Sequence, residues 1–372
     1  MVKVCVVTSV HVANDTRVYF KEVKSLAKQF DVVYIAPEAE LLQDESIKKV
    51  NITKPKSRFR RLVGFFKIWR LCADQNCEVY HLQDPELIIV GLLLKILSRK
   101  KVIYDVHEDY PDYILQKEYL PKWSRVPLYF LMKTYERIAG SMFDAIVVAD
   151  NFVNERFPQK KTIIAYNFPD LSVFTLMETK PAKQYDLIYP GSLSKHMVNI
   201  TIAVVKEVLT KKEDLKVLLI SPFLMEGGKE WVRRRIKEEG INESVIQLMD
   251  RVPYTQVCNY MEESRIGFIP LPNTRKFHKN IPTKLFEYMF CGIPVVANDL
   301  PPTRQFVEGK NCCFLVDVND SAKTASVILD LLADVELQNK MGETGNRLVK
   351  EQYNWEKEEK KLLGLYQHIL GE

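Results

Sequence analysis

Residues 281–299 read IPTKLFEYMFCGIPVVAND. A proline suited to a first helical turn opens the stretch, TKLFEYMF continues as a helix, Gly292 ends it, and Pro294 forbids its extension. VVAN is then a short apolar strand. Lys284 lies in the first turn, and Glu287 lies on the same side by its i, i+3 spacing. Leu285 and Met289 face another way, into the core. A helix that starts in a loop after one strand and feeds the next is the repeating unit of a parallel sheet. In such sheets ligands bind beyond the carboxyl ends of the strands. The helix N-terminus offers free N–H groups and the positive end of a dipole, both suited to phosphate.

The same alternation extends in both directions. VKVCVVTS, FDVVYIAP, CEVYHLQ, KVIYDVHE, FDAIVVAD and KTIIAYN read as strands, separated by RVYFKEVKSLAK, LIIVGLLLKILSR, YFLMKTYERIAGS and NFVNERFP as helices. The strands are continuous apolar runs, as expected when helices cover both faces. The pattern breaks at 167–184, which reads as a linker. A second series follows: YDLIYPGS, LKVLLISP, VIQLMDRV, IGFIPLP, PVVAND and CCFLVD. The expectation is two α/β domains, 1–170 and 171–353, with an amphipathic helix at 354–372. A chain of 372 residues supports two full cores.

The bulk numbers exclude some classes. With 47% hydrophobic and 27% charged residues the composition is globular. A net charge of +5 is too mild to imply a nucleic-acid partner, and no nucleic-acid motif is present. Seven cysteines show no zinc spacing, so all are expected as reduced thiols. No signal peptide or membrane span stands out, so the expectation is a cytoplasmic protein, at most peripheral at the inner face of the cell membrane.

Taken together with its surroundings, PTKLFEYMFCGIPVVAND resembles the nucleotide-binding signature of the family 4 glycosyltransferases, retaining enzymes of the GT-B fold. TSVHVANDTRVYFKEVKSLAKQFDVVYIAP is similar to that family's opening strand, loop and helix; VIYDVHEDYP resembles its histidine segment, and NWEKEEKKLLGLYQHIL its closing helix. The likeness implies two Rossmann-like, doubly wound parallel-sheet domains facing a cleft, an acceptor-binding first domain completed by 354–372, and a nucleotide-sugar-binding second domain. It implies a hexosyltransferase (EC 2.4) that moves a sugar from a nucleotide diphosphate, a UDP-sugar or a GDP-sugar, to a glycan or lipid-linked acceptor in cell-surface polysaccharide or glycoconjugate synthesis. No permanently bound cofactor and no metal are expected.

Site roles follow from the likeness residue by residue. Lys284 is expected on the diphosphate and Glu287 on both ribose hydroxyls, with backbone of Asn280, Ile281, Pro282, Thr283 and Leu285 nearby and Val252 holding the base. His107 is expected at the donor sugar or reacting centre. His11, Asp15, Arg17, Asp84, Glu108 and Asp109 fall on the acceptor or cleft side. Other readings stand beside these. Lys284 and Glu287 equally suit a solvated pair, and His107 a structural histidine. Asp15 or Arg17 equally suits a cap or ion pair at the helix start. For Asp84 the N-cap reading, with Pro85 at the first helical position, is preferred. The sequence departs from the common family pattern in three places. Lys279 replaces the first of two glutamates eight positions apart, as in a variant subset keeping only the second. YPGSLSKH lacks an arginine whose role Lys195 is expected to share, and LLISPF lacks the usual glycines. Two rivals stay open: a GT-B sugar-nucleotide epimerase, for which Asp15, Glu108 and Asp109 offer acid/base carboxylates, and a non-catalytic partner of a transferase complex, which the missing glutamate keeps open.

One further segment stands out. Residues 48–70, KKVNITKPKSRFRRLVGFFKIWR, hold nine cations and no acid. From Phe59 onward the apolar residues recur at helical spacing, with Arg60, Arg61, Lys67 and Arg70 on the other side. This suits an anionic membrane surface with Phe65 and Trp69 inserted, and equally a core-packed helix with a solvated basic face.

Overall fold

The structure is a computed structural model. It describes residues 1–53, 58–117, 120–173, 176–179 and 181–371, with the side chains of 58–63 and 116 outside the description. The chain divides into two compact units, Met1–Asn167 with Trp355–Glu372, and Phe168–Asn354.

The first unit is built on a seven-stranded sheet: β1 Lys3–Val7, β2 Asp31–Pro37, β3 Lys48–Ile52, β4 Val79–Leu82, β5 Lys101–Val106, β6 Ala145–Val148 and β7 Thr162–Ile164. Every pairing is parallel, in the order β3-β2-β1-β4-β5-β6-β7. A π-helix, Val18–Val23, runs on as α1, Lys24–Ala27; then come α2 Arg58–Gln75, α3 Ile88–Leu97, α4 Tyr110–Gln116, α5 Lys122–Met142 and α6 Asn151–Asn154. Inward-pointing residues alternate along each strand, so the sheet has two cores. One holds Cys5, Val7, Tyr80, Leu82 and Tyr104 under α2, α3 and α5. The other holds Val4, Val6, Val32 and Tyr34.

The second unit repeats the plan. β8 Tyr185–Pro190, β9 Val217–Ile220, β10 Ile246–Met249, β11 Ser264–Ile269, β12 Val295–Asn298 and β13 Cys313–Val316 pair in parallel in the order β10-β9-β8-β11-β12-β13. The helices are α7 Lys195–Leu209, α8 Gly228–Glu238, α9 Tyr254–Glu262, α10 Thr283–Phe290, α11 Pro301–Val307, α12 Ser321–Ala333 and α13 Val335–Glu351. The chain then returns to the first unit as α14, Trp355–Leu370. Trp355, Leu362, Leu363, Leu365 and Tyr366 of α14 fill the second core of the first sheet.

The structure corrects several sequence expectations. KKVNI, grouped with the basic segment, is the edge strand β3. The helix expected from 129 begins at Lys122 and carries Pro127 inside it. Phe65 and Trp69 pack against the core beneath α2, while Phe66, Lys67 and Arg70 are exposed. The side chains of Arg60 and Arg61 lie outside the described residues. Cys258 and Cys291 are joined in a disulfide, with Cα atoms 6.2 Å apart, so not every cysteine is a thiol. They belong to α9 and to the end of α10, which pack together, so a separation of 33 residues closes in space.

The end of α10 shows how closely this unit is built. Gly292 takes φ +68°, and its N–H bonds to Met289 O while Ile293 N–H bonds to Tyr288 O, the Schellman pattern. Asn346 of α13 donates to the Phe290 carbonyl. Gly342 of α13 lies directly against the Gly292 carbonyl, where a Cβ has no room.

Two stability outcomes follow. Glycine-to-alanine in a helix normally stabilises by about 1 kcal/mol; Gly342→Ala will instead destabilise by about 1–3 kcal/mol, because it overpacks α13 on Gly292. Urea unfolding checks the sign, and a gain in stability refutes the tight contact. Deleting 355–372 uncovers three leucines worth about 1.5–3 kcal/mol each, comparable with the about 5–15 kcal/mol that holds a domain together. The first unit will then lack cooperative unfolding, seen as loss of one of two calorimetric transitions.

Candidate active site

Each sheet reverses its strand order once, between β1 and β4 and between β8 and β11. Neighbouring loops leave such a point in opposite directions and open a crevice at the strand ends. In the second unit α10 starts beside the β8/β11 reversal. Pro282 is its N-cap rather than its first helical residue, and Thr283 begins the helix. The ring of Tyr288 lies over Gly267 of β11, and its hydroxyl donates to the Ile188 carbonyl of β8 at 2.8 Å. Only a residue without a Cβ at 267 admits that ring. Tyr288 thus fastens α10 to the paired strands β8 and β11 and fixes the neighbouring side chain, Glu287.

Glu287 is buried and holds two partners. Lys284 Nζ donates to Oε2 at 2.7 Å, and Tyr254 OH donates to Oε1 at 3.2 Å. The Lys284 ammonium also lies 5.8 Å from the centre of the Tyr254 ring. The pair is therefore not the solvated one that spacing alone allows. Tyr254, the first residue of α9, follows Val252 and Pro253, so the loop after β10 meets the helix after the β11 loop. Lys195 opens α7, the helix after β8, and meets Glu226 at 3.2 Å and the face of the Trp231 ring. Val252, Asn280 and Ile281 are half-buried at the same strand ends. Sequence reasoning missed Tyr254 and Tyr288. An aromatic residue on a helix reads as core, and only Gly267 in a strand hinted at a close neighbour.

In the first unit the β1/β4 reversal is closed by polar bonds. Asp84 accepts from Thr8 Oγ1 at 2.9 Å and from Ser9 N–H at 2.5 Å. It occupies the N-cap position ahead of Pro85, yet its side chain makes no capping bond. The preferred cap reading is corrected on that point: the carboxylate is taken by the end of β1. Asp15 does cap, accepting from Arg17 N–H and Val18 N–H, each at 2.9 Å. Arg17 is buried. It donates to both oxygens of Asp105 at 3.2 Å and to Ala165 O at 2.8 Å, and its Nε lies 2.9 Å from Glu22. The ion-pair reading of Arg17 is the one seen in these contacts. Asp109 caps α4 and accepts from Arg156 at 2.6 Å, while Glu108 is half-buried.

His11 and His107 face each other, ring centres 4.9 Å apart. His11 Nδ1 is 3.3 Å from Asp15, and its Nε2 is 3.5 Å from Asp84. His107 Nε2 meets Gln83 Oε1 at 2.7 Å, and Gln83 Nε2 donates to Glu22 at 2.7 Å. Glu22, Asp105 and His107 cluster closely enough for a cation. The Arg17 guanidinium already lies on both carboxylates and supplies that charge, so the donor set does not favour a metal. Burial, with Arg17 and His11 nearby, pushes His107 down to about 3 despite Asp105. His11 is raised: burial opposes its charge, and Asp15 and Asp84 outweigh it. Asp15, despite burial, is held down at about 2 by His11 and the Val18 amide.

The two histidines will therefore titrate apart. His107 stays neutral when folded, so below pH 6.5 the unfolded chain takes up a proton that the folded one refuses, and stability falls as pH drops towards 3. His11 has the opposite sign: its contribution is complete below about pH 6.5 and is lost as pH rises through its raised value. Proton NMR of the imidazole C2–H signals checks this. A His107 signal titrating between pH 6 and 8 refutes the burial argument.

Residues 16–172 match the family model described as Glycosyltransferase Family 4, and residues 184–334 the one described as Glycosyl transferases group 1. The chain is 24% identical over 306 residues to a chitobiosyldiphosphodolichol beta-mannosyltransferase of Debaryomyces hansenii, covering 72% of this chain and 63% of that one. It thus spans less than two thirds of that relative's length. Among solved structures it resembles a sucrose-phosphate synthase from Thermosynechococcus elongatus, with TM-score 0.79, 14% identity and all of both chains covered. It also resembles Anabaena HepE in complex with UDP and glucose, with TM-score 0.75, 12% identity, and 99% of this chain and 100% of that one covered. With two such models in tandem on two doubly wound parallel sheets, the chain belongs to the glycosyltransferases of the GT-B fold.

Proposed function

We propose that the chain transfers a hexose from a nucleotide diphosphate sugar to a glycan or lipid-linked acceptor in glycoconjugate or cell-surface polysaccharide synthesis, with retention at the anomeric carbon. The second unit binds the donor and the first the acceptor. One observation carries the reading most: Lys284, Glu287 and Tyr254 gathered at the N-terminus of α10, beside the strand-order reversal. A diphosphate at that N-terminus draws the Lys284 ammonium to itself. Glu287 Oε2 is then released to accept from ribose hydroxyls, while Tyr254 keeps Oε1 oriented. Lys284 and the helix dipole together stabilise charge that grows on the leaving diphosphate. Lys195 adds a second cation, and backbone at Val252, Asn280, Ile281 and Thr283 contacts base, sugar and phosphate.

On the acceptor side His11, Asp15, His107, Glu108 and Asp109 remain the candidates. Arg17 and Asp84 serve by holding the loop in shape, since their polar atoms are spent on internal bonds. Neutral His107 is suited to hydrogen-bond sugar hydroxyls rather than to carry charge. HepE, a fold neighbour, is described as binding UDP and glucose. The mannosyltransferase relative supports a hexosyl donor and a lipid diphosphate acceptor. UDP-sugars and GDP-sugars are therefore the donors to test.

Glu287→Ala will weaken nucleoside diphosphate binding roughly tenfold to a hundredfold, the loss of hydrogen bonds to a charged acceptor worth about 1.5–3 kcal/mol. Calorimetry reads it, and unchanged affinity removes Glu287 from the site. Lys284→Ala will lower kcat more than it weakens nucleoside monophosphate binding, since its charge matters as the bond to the sugar breaks. Full turnover at saturating donor contradicts the role. NMR of the product settles the anomeric outcome. Conversion of the sugar nucleotide without any acceptor would point to an epimerase.

A further inference from the structure

The solvent face of α5 is unusual. Trp123, Val126, Phe130, Leu131, Ile138 and Met142 lie on one broad side of the helix, and all six are exposed, Trp123 by 81% and Leu131 by 65%. Exposed apolar residues are common singly, but a continuous stripe along one helix marks a surface that is covered in use. At 1.5 Å per residue it runs about 30 Å. Of the five charged residues on α5, four are cations. The one acid, Glu136, is buried and ion-paired with Arg156. Lys122, Lys133 and Arg137 are exposed along the stripe.

The surface extends sideways. α3 packs against α5, and α2 against α3, all over the same core. Ile96 and Leu97 at the end of α3 are exposed by 60% and 62%, and Phe66 on α2 by 60%, with exposed Lys67 and Arg70 beside it.

We infer that this face of the first unit, centred on α5, docks on an anionic lipid surface. Aromatic and aliphatic side chains enter beneath the headgroups while the lysines and arginines meet lipid phosphates. The charge pattern chooses among occupants. In a symmetric dimer the same patch meets itself, which sets Lys122, Lys133 and Arg137 of one copy against their equivalents and repels. A membrane supplies a continuous negative surface and an apolar interior together. The docking surface stands without the catalytic reading, although a lipid-linked acceptor would lie at such a surface.

The test is co-sedimentation of the full chain with vesicles, either pure phosphatidylcholine or about one third phosphatidylglycerol. Binding to the anionic vesicles only, released by high salt, is expected. Changing Lys122, Lys133 and Arg137 together to Gln will lower the partition about a hundredfold, at about fivefold per cation. Trp123→Ser with Phe130→Ser will also release the protein, with an unchanged melting temperature because both side chains are exposed. Quenching of tryptophan fluorescence by brominated lipid will appear in the wild type and be lost in Trp123→Phe. Sugar transfer to a soluble acceptor, measured on the same variants, will be unchanged, which separates failure of docking from failure of the catalytic assignment. Equal binding to both vesicles, no binding, or full binding by the triple variant overturns the inference. So does a dimer in lipid-free sedimentation velocity that Trp123→Ser dissociates.

Discussion

At both points where strand order reverses, a buried side chain bonds to the backbone there and holds the crevice in shape. Between β8 and β11 the hydroxyl of Tyr288 donates to the carbonyl of Ile188, at a point where Gly267, its register partner, makes room for the ring. Between β1 and β4 the Asp84 carboxylate takes the hydroxyl of Thr8 and the amide of Ser9. Buried polar groups must find partners. The groups recruited here are anchored on the helices and loops that form the candidate site. Holding the sheet together and aiming Glu287 are thus the work of adjacent residues on one helix.

The first unit adds a buried electrostatic device. Arg17 pairs with Asp105, lies 2.9 Å from Glu22, whose carboxyl burial and Asp105 push up, and reaches across to the Ala165 carbonyl. His81, fully buried, joins it to the C-terminal helix, with Nδ1 2.9 Å from Tyr366 OH and Nε2 3.5 Å from Asp105. Removing one member of such a group leaves the others charged and unpaired, at a cost of several kcal/mol. The network also sets the histidines: one is denied a proton by burial and Arg17, while Asp15 and Asp84 raise its neighbour's affinity for one.

The parallel sheets are legible in the sequence because their interior strands are short, mostly apolar runs separated by helical patterns, and the glycine at 292 marks the end of α10 by the backbone angle it alone takes easily. β3 escapes because an edge strand need not be apolar. The first turns of α5 escape because Pro127 reads as a break, though it falls where the helix faces solvent. The i, i+3 spacing of Lys284 and Glu287 indicates a pair, yet their burial and the Tyr254 hydroxyl come from α9, a different segment. The Cys258–Cys291 bond and the Arg17 cluster are likewise contacts between distant segments, and no local pattern encodes them.

The return of α14 to the first sheet makes that unit discontinuous in the chain, while the second unit is one unbroken segment. During synthesis the whole of Phe168–Asn354 must be made before Trp355, Leu362 and Tyr366 can reach their core. At about 5–20 residues per second this takes roughly ten to forty seconds. Through that interval Val4, Val6, Val32 and Tyr34 lie on a sheet face that lacks its closing helix. The second unit can complete its fold while the first still waits. The nascent protein therefore assembles from its later segment back to its beginning, and its period of greatest exposure to aggregation falls on the unit made first.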